Sequence, residues 1–358
     1  MEKINKKAGI YILNYNGIYW LKRNLKNLIK YSPNIPITII DNNSSDESIQ
    51  YIENTFPIID IQKNKENYGF AKGYNQVLLQ NTKLDFFIII NNDIQVTKDW
   101  TQPLLKKIND KNVGIIQPKI KALSRLKNKS YKTTNHFDYA GAAGGFIDKL
   151  GFPFCRGRIL QYTEEDTGQY NDDSEIFWAA GCCFIIERKL FHQLNGFDED
   201  LFMHQEEVDL CWRAQALKKQ VYFCSKSTVY HANGGTLGTH DPIKKFYNHR
   251  NNLLVLIKNH PFPLFIVFIR ILIDYLIIII YFFNLIYYLT TYLIHRNQSS
   301  TFIFAKYIYQ ILRAHTSLIF LFPKFFNKRQ AIKTRNKYSG IILFDYFIRG
   351  IREFSKLK

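Results

Sequence analysis

Short apolar runs alternate with amphipathic segments over the first third of the chain, and this alternation constrains the fold more than any other feature. The runs predict β-strands at residues 8–14, 36–40, 58–61, 86–90 and 113–117. Apolar residues at helical spacing predict α-helices at 19–30, 69–80 and 100–108, and a further short helix that ends at about residue 54. We therefore predict an α/β domain with a mostly parallel central sheet flanked by helices. Residues 121–175 lack this pattern and are expected to be irregular.

Polar residues directly follow three of these predicted strands. Residues 14–16 (Asn-Tyr-Asn) follow the first strand, Asp41 follows the second, and residues 91–93 (Asn-Asn-Asp) follow the fourth. The carboxyl ends of parallel strands meet at one edge of the sheet, where such folds bind their ligands. For any single cluster, ordinary loop polarity explains the sequence. Together, the clusters predict a ligand site at that edge.

Asp93 is the candidate metal ligand of this edge. A carboxylate can bind Mg²⁺ or Mn²⁺, which prefer oxygen ligands and bridge to diphosphates. The alternative is a polar turn that ends the strand. His231 follows the apolar stretch 227–230 and could be a second ligand, although a histidine in this setting is more often a loop residue.

A second group of carboxylates lies in the segment HQEEVDLCWR, residues 204–213. At helical spacing Glu206 and Asp209 share a face, Glu207 points toward the helix edge, and Arg213 can pair with Asp209. Crowded carboxylates raise one another's pKa values, as acid–base chemistry near neutral pH requires. The alternative is an acidic helix start favoured by the helix dipole. The buried face of this helix is predicted to comprise Val208, Cys211 and Trp212.

The C-terminal third has the composition of a membrane-associated region. Residues 275–294 contain no formal charge over 20 positions, and residues 323–358 hold ten Lys or Arg and two acids. A buried core helix is the alternative.

The chain carries 48 Lys and Arg against 30 acids, a net charge of +18, which favours anionic partners. The short apolar run at 10–13 argues against a signal peptide. Five cysteines, of which only Cys182 and Cys183 are adjacent, have no metal-type spacing and indicate reduced thiols, so we expect a location on the cytoplasmic face of the membrane.

Taken together and in order, these stretches resemble the family 2 glycosyltransferases, in particular the rhamnosyltransferase-like branch of bacterial polysaccharide synthesis. The stretches that carry the resemblance are ILNYNG (12–17), IIDNNSSDES (39–48), NYGFAKGYN (67–75), IIINND (88–93), WAAGCCFIIER (178–188), GFDEDLFMHQEEVDLCWR (196–213), VYHANGGT (229–236) and FYNHRNNLLVLIKN (246–259).

The resemblance implies a GT-A fold and inverting transfer from a nucleotide-diphospho-sugar, a UDP- or dTDP-sugar and possibly dTDP-rhamnose. It implies a divalent cation, Mg²⁺ or Mn²⁺, held by Asp93 and His231, and a general base at Glu207. Two residues depart from the family pattern, because Asn91 replaces the first carboxylate of the metal motif and Glu207 replaces the commoner aspartate. The implied nucleotide-sugar site comprises Tyr15, Asn16, Asp41, Asn67, Gly69, Lys72, Asn91 and Asn92, and the implied acceptor side comprises Trp178, Gly181, Glu206 and Asp209.

The predicted organisation is a GT-A domain at 1–259, with a nucleotide-binding half at about 1–120 and an acceptor-binding half at about 121–259, and a membrane-associating region at 260–358. The expected partners are the sugar donor, a glycan or lipid-linked acceptor and a membrane surface, without nucleic acid. Two other functions stay open at this stage. The chain could be a polyprenyl-phosphate glycosyltransferase, or an inactive scaffold of an assembly complex. The oligomeric state is left open.

Overall fold

The computed structural model describes residues 7–128, 130–232, 241–295, 301–334 and 337–357, and side chains are described outside 291–302. Contacts divide the chain into two compact units. The first unit comprises Met1–Leu237 together with Thr334–Lys358, and the second comprises Gly238–Lys333. The predicted domain boundary at residue 259 differs from this division, and the assignment of functions to the domains stays a prediction.

Strands of the described residues are β1 (Ala8–Asn14), β2 (Ile37–Asp41), β3 (Asp60–Lys63), β4 (Phe86–Asn91), β5 (Ile94–Val96), β6 (Val113–Arg125), β7 (Tyr131–Phe137), β8 (Gly145–Ile147), β9 (Pro153–Cys155), β10 (Arg158–Ile159), β11 (Tyr162–Thr163), β12 (Ser174–Ile176), β13 (Cys183–Glu187) and β14 (Gln220–His231). The α-helices are α1 (Ile18–Tyr31), α2 (Ser48–Thr55), α3 (Gly69–Leu78), α4 (Thr101–Lys107), α5 (Arg188–Gln193), α6 (Glu206–Ala216), α7 (Pro242–Asn259), α8 (Pro263–His295), α9 (Thr301–Asn327) and α10 (Ile342–Phe347). Short 3₁₀ helices cover Glu199–Leu201 and Phe354–Lys356.

The main sheet of the first unit has the strand order β12-β14-β6-β13-β4-β1-β2-β3. The predicted α/β fold is confirmed, and β4, β1, β2 and β3 pair in parallel. The rest of the sheet is mixed, because β13 runs antiparallel to both β4 and β6. Strand β4 is buried from Phe86 to Ile90, as its uninterrupted apolar sequence predicts for a strand covered on both faces.

The region predicted to be irregular, 121–175, contains regular structure. Strand β6 continues to Arg125 and pairs with β7, and β8 to β11 form a separate four-stranded sheet. For the small sheet, the prediction was wrong because its strands are only two or three residues long. A strand this short does not show the alternation of apolar and polar residues by which strands are predicted. The C-terminal segment packs on this small sheet, where Phe154, Ile159 and Ile342 form a buried cluster.

The second unit contains α7, α8 and α9. The uncharged stretch 275–294 and the apolar residues 264–273 before it belong to the single helix α8. Within the described residues, its segment Pro263–Thr290 is long and apolar enough to cross a membrane, with a mean hydropathy of 2.6. Asp274 interrupts that segment, and its carboxylate accepts hydrogen bonds from His249 of α7 (2.8 Å) and His315 of α9 (2.9 Å). One carboxylate thus joins the three helices.

Candidate active site

Three neighbouring strands bring the predicted polar clusters to one edge of the main sheet. In the parallel register Asn14 at the end of β1 lies beside Asp41 at the end of β2, and Leu13 lies beside Asn91 at the end of β4. The predicted convergence of the three clusters is therefore what the fold produces. We call the edge formed by the ends of β1, β2 and β4 the rim.

Hydrogen bonds among the rim side chains fix its shape. The Asp41 carboxylate accepts from Asn14 Nδ2 (3.2 Å) and from the hydroxyl of Ser44 (2.6 Å). The Asn92 amide donates to Asn14 Oδ1 (3.1 Å) and so continues the chain of contacts from β2 to β4. Gly17 lies against both amides, and a Cβ at this position would overlap them. The rim is rigid because each buried polar group constrains the next.

The loop after β1 is held by Asn16, whose backbone is in the left-handed region (φ 50°). Its side-chain oxygen accepts hydrogen bonds from the backbone N–H groups of Ser45 (2.8 Å) and Asp46 (3.3 Å). The neighbouring Tyr15 ring is 40% exposed. In this arrangement Asn16 shapes the loop and Tyr15 offers an aromatic face beside the rim.

The segment 67–72 forms the start of α3. Asn67 Oδ1 accepts from the Gly69 N–H (3.0 Å), and the Lys72 ammonium lies 3.9 Å from the centre of the Tyr68 ring. Gly69 has a φ of 71°, and a Cβ there would overlap the ring of Phe202. Glycine is required at this position because of both the backbone conformation and the close contact.

Asp93, His231 and Asp138 form a buried cluster just beyond the rim. The Nδ1 of His231 lies 2.9 Å from Asp138 Oδ2, and its Nε2 lies 3.3 Å from Asp93 Oδ1. A carboxylate only accepts, so Nδ1 carries the proton in the first contact. Burial lowers the pKa of His231, but the charges of Asp93, Cys182 and Asp138 raise it well above its usual value. The cluster therefore attracts a positive charge.

The same geometry fits a divalent cation. Asp93 Oδ1 is buried and has no hydrogen-bond donor among the described residues. When His231 is neutral, its Nδ1 carries the proton and its Nε2 has a lone pair that faces Asp93 Oδ1. Two hydrogen-bond acceptors then lie next to each other, and a cation between them would bind both. Within the described part of the chain no group of three or more His, Cys, Asp or Glu side chains has the arrangement of a metal site. One or two protein ligands suffice for Mg²⁺ when substrate phosphates supply the others.

Glu206 and Glu207 begin α6, and burial raises the pKa of both carboxyl groups. For Glu207 the pKa rises to about 7, and for Glu206, which also feels the charge of Glu207, it rises well above its usual value. Gly181 lies against Glu207, because a Cβ there would be in van der Waals contact with the Phe70 ring (3.4 Å) and with Glu207 Cβ (3.8 Å) and Cδ (3.9 Å). The predicted crowding of carboxylates is found between the adjacent residues Glu206 and Glu207.

Residues 181 and 182 link the two groups of site residues. Gly181 contacts Glu207, while the next residue, Cys182, is close enough to Asp93 and His231 for their charges to affect its thiol. The Cys182 carbonyl also accepts a hydrogen bond from the Asn91 N–H (2.9 Å). The two residues just before β13 thus lie between the Glu207 carboxyl and the cluster of Asp93 and His231.

Asp209 and Trp178, two of the three buried residues of the implied acceptor side, are held by specific contacts. Asp209 is fully buried and paired with Arg213 Nε at 2.7 Å, as the spacing predicts, and Arg213 also donates to the Leu194 and Gly196 carbonyls. The Trp178 indole is 5% exposed, packs on Gly145 and donates to the Phe146 carbonyl (2.9 Å). Through these contacts both side chains stabilise the fold. Their contact with an acceptor stays a prediction.

Asp138 is the site residue that the sequence does not reveal. It follows β7, in the region that lacks a readable pattern, and a single Asp after an apolar residue carries no signal of its own. Residues 233–236 of the motif that contains His231 lie outside the described residues.

The amino-acid sequence is similar to those of known glycosyltransferases. The family model described as "Glycosyl transferase family 2" matches residues 10–194. The low-salt glycan biosynthesis hexosyltransferase Agl10 of Haloferax volcanii is 23% identical over 228 residues, which cover 62% of this chain and 66% of that protein. The N-acetylglucosaminyl-diphospho-decaprenol L-rhamnosyltransferase of Mycobacterium tuberculosis is 23% identical over 237 residues, which cover 63% of this chain and 75% of that protein.

Among solved structures, GalNAc-T7 with UDP, GalNAc and Mn²⁺ is similar with a TM-score of 0.55 and 19% identity. The match covers 71% of this chain and 48% of that one. At this identity the likeness concerns the fold, which is GT-A. The family match ends at residue 194, so it includes the rim and Asp93, whereas Glu207 and His231 lie beyond it.

Proposed function

Because this chain belongs to glycosyl transferase family 2, we propose that it transfers a sugar, with inversion, from a nucleotide-diphospho-sugar to a hydroxyl group of a glycan or lipid-linked glycan. The proposed donor is a UDP- or dTDP-sugar, with dTDP-rhamnose as the first candidate because the Mycobacterium tuberculosis relative is named as an L-rhamnosyltransferase. That relative's name also supports the choice of a lipid-linked acceptor.

The observation that carries this proposal is the buried contact between Asp93 Oδ1 and His231 Nε2, 3.3 Å apart, in a cluster that attracts a positive charge. The two side chains would hold a Mg²⁺ or Mn²⁺ ion together with the donor diphosphate. When bound, such an ion stabilises the negative charge of the departing nucleoside diphosphate. Asp138 orients His231 by its contact with Nδ1, as carboxylates commonly do for metal-binding histidines. Asn91 replaces the family's first carboxylate and keeps hydrogen-bonding capacity without adding charge.

The proposed nucleotide site follows the rim. The Tyr15 ring would stack on the base, and Asp41 and Asn91 would bind the ribose. Asn16 and Asn92 would act mainly through the loops that they hold. The segment of Asn67, Gly69 and Lys72 would lie near the phosphates, where Lys72 supplies positive charge.

Glu207 is the proposed general base. Its carboxylate would take the proton from the acceptor hydroxyl as that oxygen bonds to the anomeric carbon and the bond from that carbon to the diphosphate oxygen breaks. Attack from the opposite face inverts the anomeric configuration. A pKa of about 7 suits this task, because a base is most effective when its pKa is near the working pH.

The acceptor would approach Glu207 from the side of Gly181, the residue that lies against the Glu207 side chain. Glu206 is proposed to line the same approach in its neutral form, as a hydrogen-bond donor. Trp178 and Asp209 would support the acceptor side from within the core, through their contacts with Phe146 and Arg213.

Helix α8 supports membrane association on the cytoplasmic face, where lipid-linked acceptors and nucleotide sugars could meet the same site. Its segment Pro263–Thr290 has the length and composition of a membrane span. Whether it crosses the bilayer or lies within it does not alter the proposed reaction.

The test is nucleoside diphosphate release by full-length protein in detergent. A panel of UDP- and dTDP-sugars would be offered with Mn²⁺, with Mg²⁺ or with a chelator, and with lipid extract as acceptor. We expect release from one donor only when the metal is present. Transfer to a polyprenyl phosphate that survives Glu207→Gln would favour the polyprenyl-phosphate reaction instead. No release from any donor would favour the inactive scaffold.

A further inference from the structure

Four large apolar side chains at the C-terminus face solvent. They are Ile341, Phe344, Phe347 and Ile348, on and beside α10, and their exposed fractions lie between 38% and 71%. We call these four residues the C-terminal patch. They belong to the first unit, which carries the candidate active site, and not to the helical unit that contains α8.

The segment that presents the patch is firmly attached to the small sheet. The Ile342 side chain is fully buried, and its N–H donates to Asp148 Oδ2 (2.9 Å). The Asp345 carboxylate is buried on the same side of α10, where it accepts from Tyr338 (2.8 Å). Further along, the Phe354 N–H donates to Glu164 (2.9 Å). The outward direction of the patch therefore follows from specific inward contacts of its neighbours.

The segment that presents the patch carries a small excess of basic residues. The described residues 337–357 contain four Lys or Arg and two acids. Both acids have basic partners, because Asp345 lies 2.7 Å from Arg349 and Glu353 lies 2.9 Å from Lys356. Arg352 lies over the Tyr346 ring with its guanidinium carbon 5.4 Å from the ring centre. A segment with exposed apolar side chains and a net positive charge complements a surface that is apolar inside and negatively charged outside.

We propose that the C-terminal patch inserts into the headgroup region of an anionic membrane and holds the catalytic unit directly on the lipid surface. Exposed Phe and Ile next to Arg and Lys have the composition of segments that lie in this region of a bilayer. Anionic lipids attract such basic segments over about a Debye length. This inference extends the proposed membrane association of α8, but it does not depend on sugar transfer.

Site-specific labelling tests the proposal in the full-length chain. All five native cysteines are buried, so a single cysteine introduced by Phe347→Cys can carry an environment-sensitive fluorophore. Two matched variants complete the set. Phe282→Cys, at an exposed position of α8, reports the proposed membrane association, and Ile58→Cys, at an exposed apolar position of the first unit, is the solvent control. Each protein would be placed in nanodiscs of phosphatidylcholine with or without phosphatidylglycerol, and quenched by brominated lipids.

The proposal predicts a blue shift and quenching at position 347 in discs that contain phosphatidylglycerol, weaker quenching in neutral discs, and no response at position 58. A water-like spectrum at position 347 in anionic discs would overturn it, even if position 282 responds and the association of α8 stands. A shift at position 347 that appears without lipid as protein concentration rises would indicate contact between two copies and would also overturn it. Because the readout is lipid contact, loss of sugar transfer in any variant does not affect the conclusion.

Discussion

Replacing Glu207 with glutamine keeps the shape of the side chain and removes its ability to take a proton. General base catalysis contributes roughly 10²- to 10⁴-fold to a rate. We therefore expect Glu207→Gln to lower kcat by at least about 100-fold, while donor binding changes little because the proposed metal and nucleotide contacts lie elsewhere. Initial rates of nucleoside diphosphate release and the donor KM, measured in the same preparation, separate the two effects.

The pH dependence makes this prediction sharper. Burial raises the pKa of Glu207 to about 7, so roughly half of the carboxyl groups are ionised at neutral pH. The ionised fraction is roughly nine-tenths one pH unit above the pKa and roughly one-tenth one unit below it, so the rate of the unmodified protein should fall about tenfold across that interval. The Gln variant should show a low rate without this dependence.

Glu66→Gln, the same chemical change at an exposed position, is the matched control and should behave as the unmodified protein. A Gln variant that retains more than half of the rate would refute the assignment of the base. So would a pH dependence that persists unchanged in that variant, because it would then belong to another group.

Three further substitutions test the supporting structure. Asp138→Asn should weaken Mn²⁺ binding by about 10- to 100-fold, measured by titration with nucleoside diphosphate present, because His231 loses the carboxylate that orients it. Asp209→Asn should lower the free energy of unfolding by about 3–5 kcal/mol in a denaturant titration, because Arg213 is left buried without its carboxylate; an unchanged midpoint would contradict this. Gly17→Ala should cost about 1–3 kcal/mol of stability and weaken donor binding, since the added methyl group displaces Asn92.

The rim could be predicted from the sequence because each of its strands is bounded by a sharp change in polarity. The run from Phe86 to Ile90 is apolar throughout and ends in Asn91, and parallel pairing then brings this end beside the ends of β1 and β2. Local pattern and global topology agree at this edge, so the convergence follows from simple rules.

The other parts of the fold and of the site depend on contacts between residues far apart in the sequence, which the local pattern of apolar and polar residues does not reveal. Asp138 comes next to His231 only because the long strands β6 and β14 pair, with His231 opposite Ala122. The small sheet consists of strands too short to show a period, and the return of residues 334–358 to the first unit depends on distant contacts such as that of Ile342 with Asp148. In helix α6 the pair of Asp209 with Arg213 follows from their spacing, whereas the position of Glu207 against Gly181 depends on a contact between distant segments.

The most direct test of the central claim measures the cation itself. Mn²⁺ would be titrated into the full-length protein in the presence of UDP or dTDP, and the free ion followed by electron paramagnetic resonance, for the unmodified chain, Asp93→Asn and the control Asp99→Asn. Asp99 is exposed and lies six residues further along the chain. The account predicts nucleotide-dependent Mn²⁺ binding that is retained in Asp99→Asn and lost in Asp93→Asn. Equal binding by all three proteins would contradict it, because Asp93 would then be a turn residue and not a metal ligand.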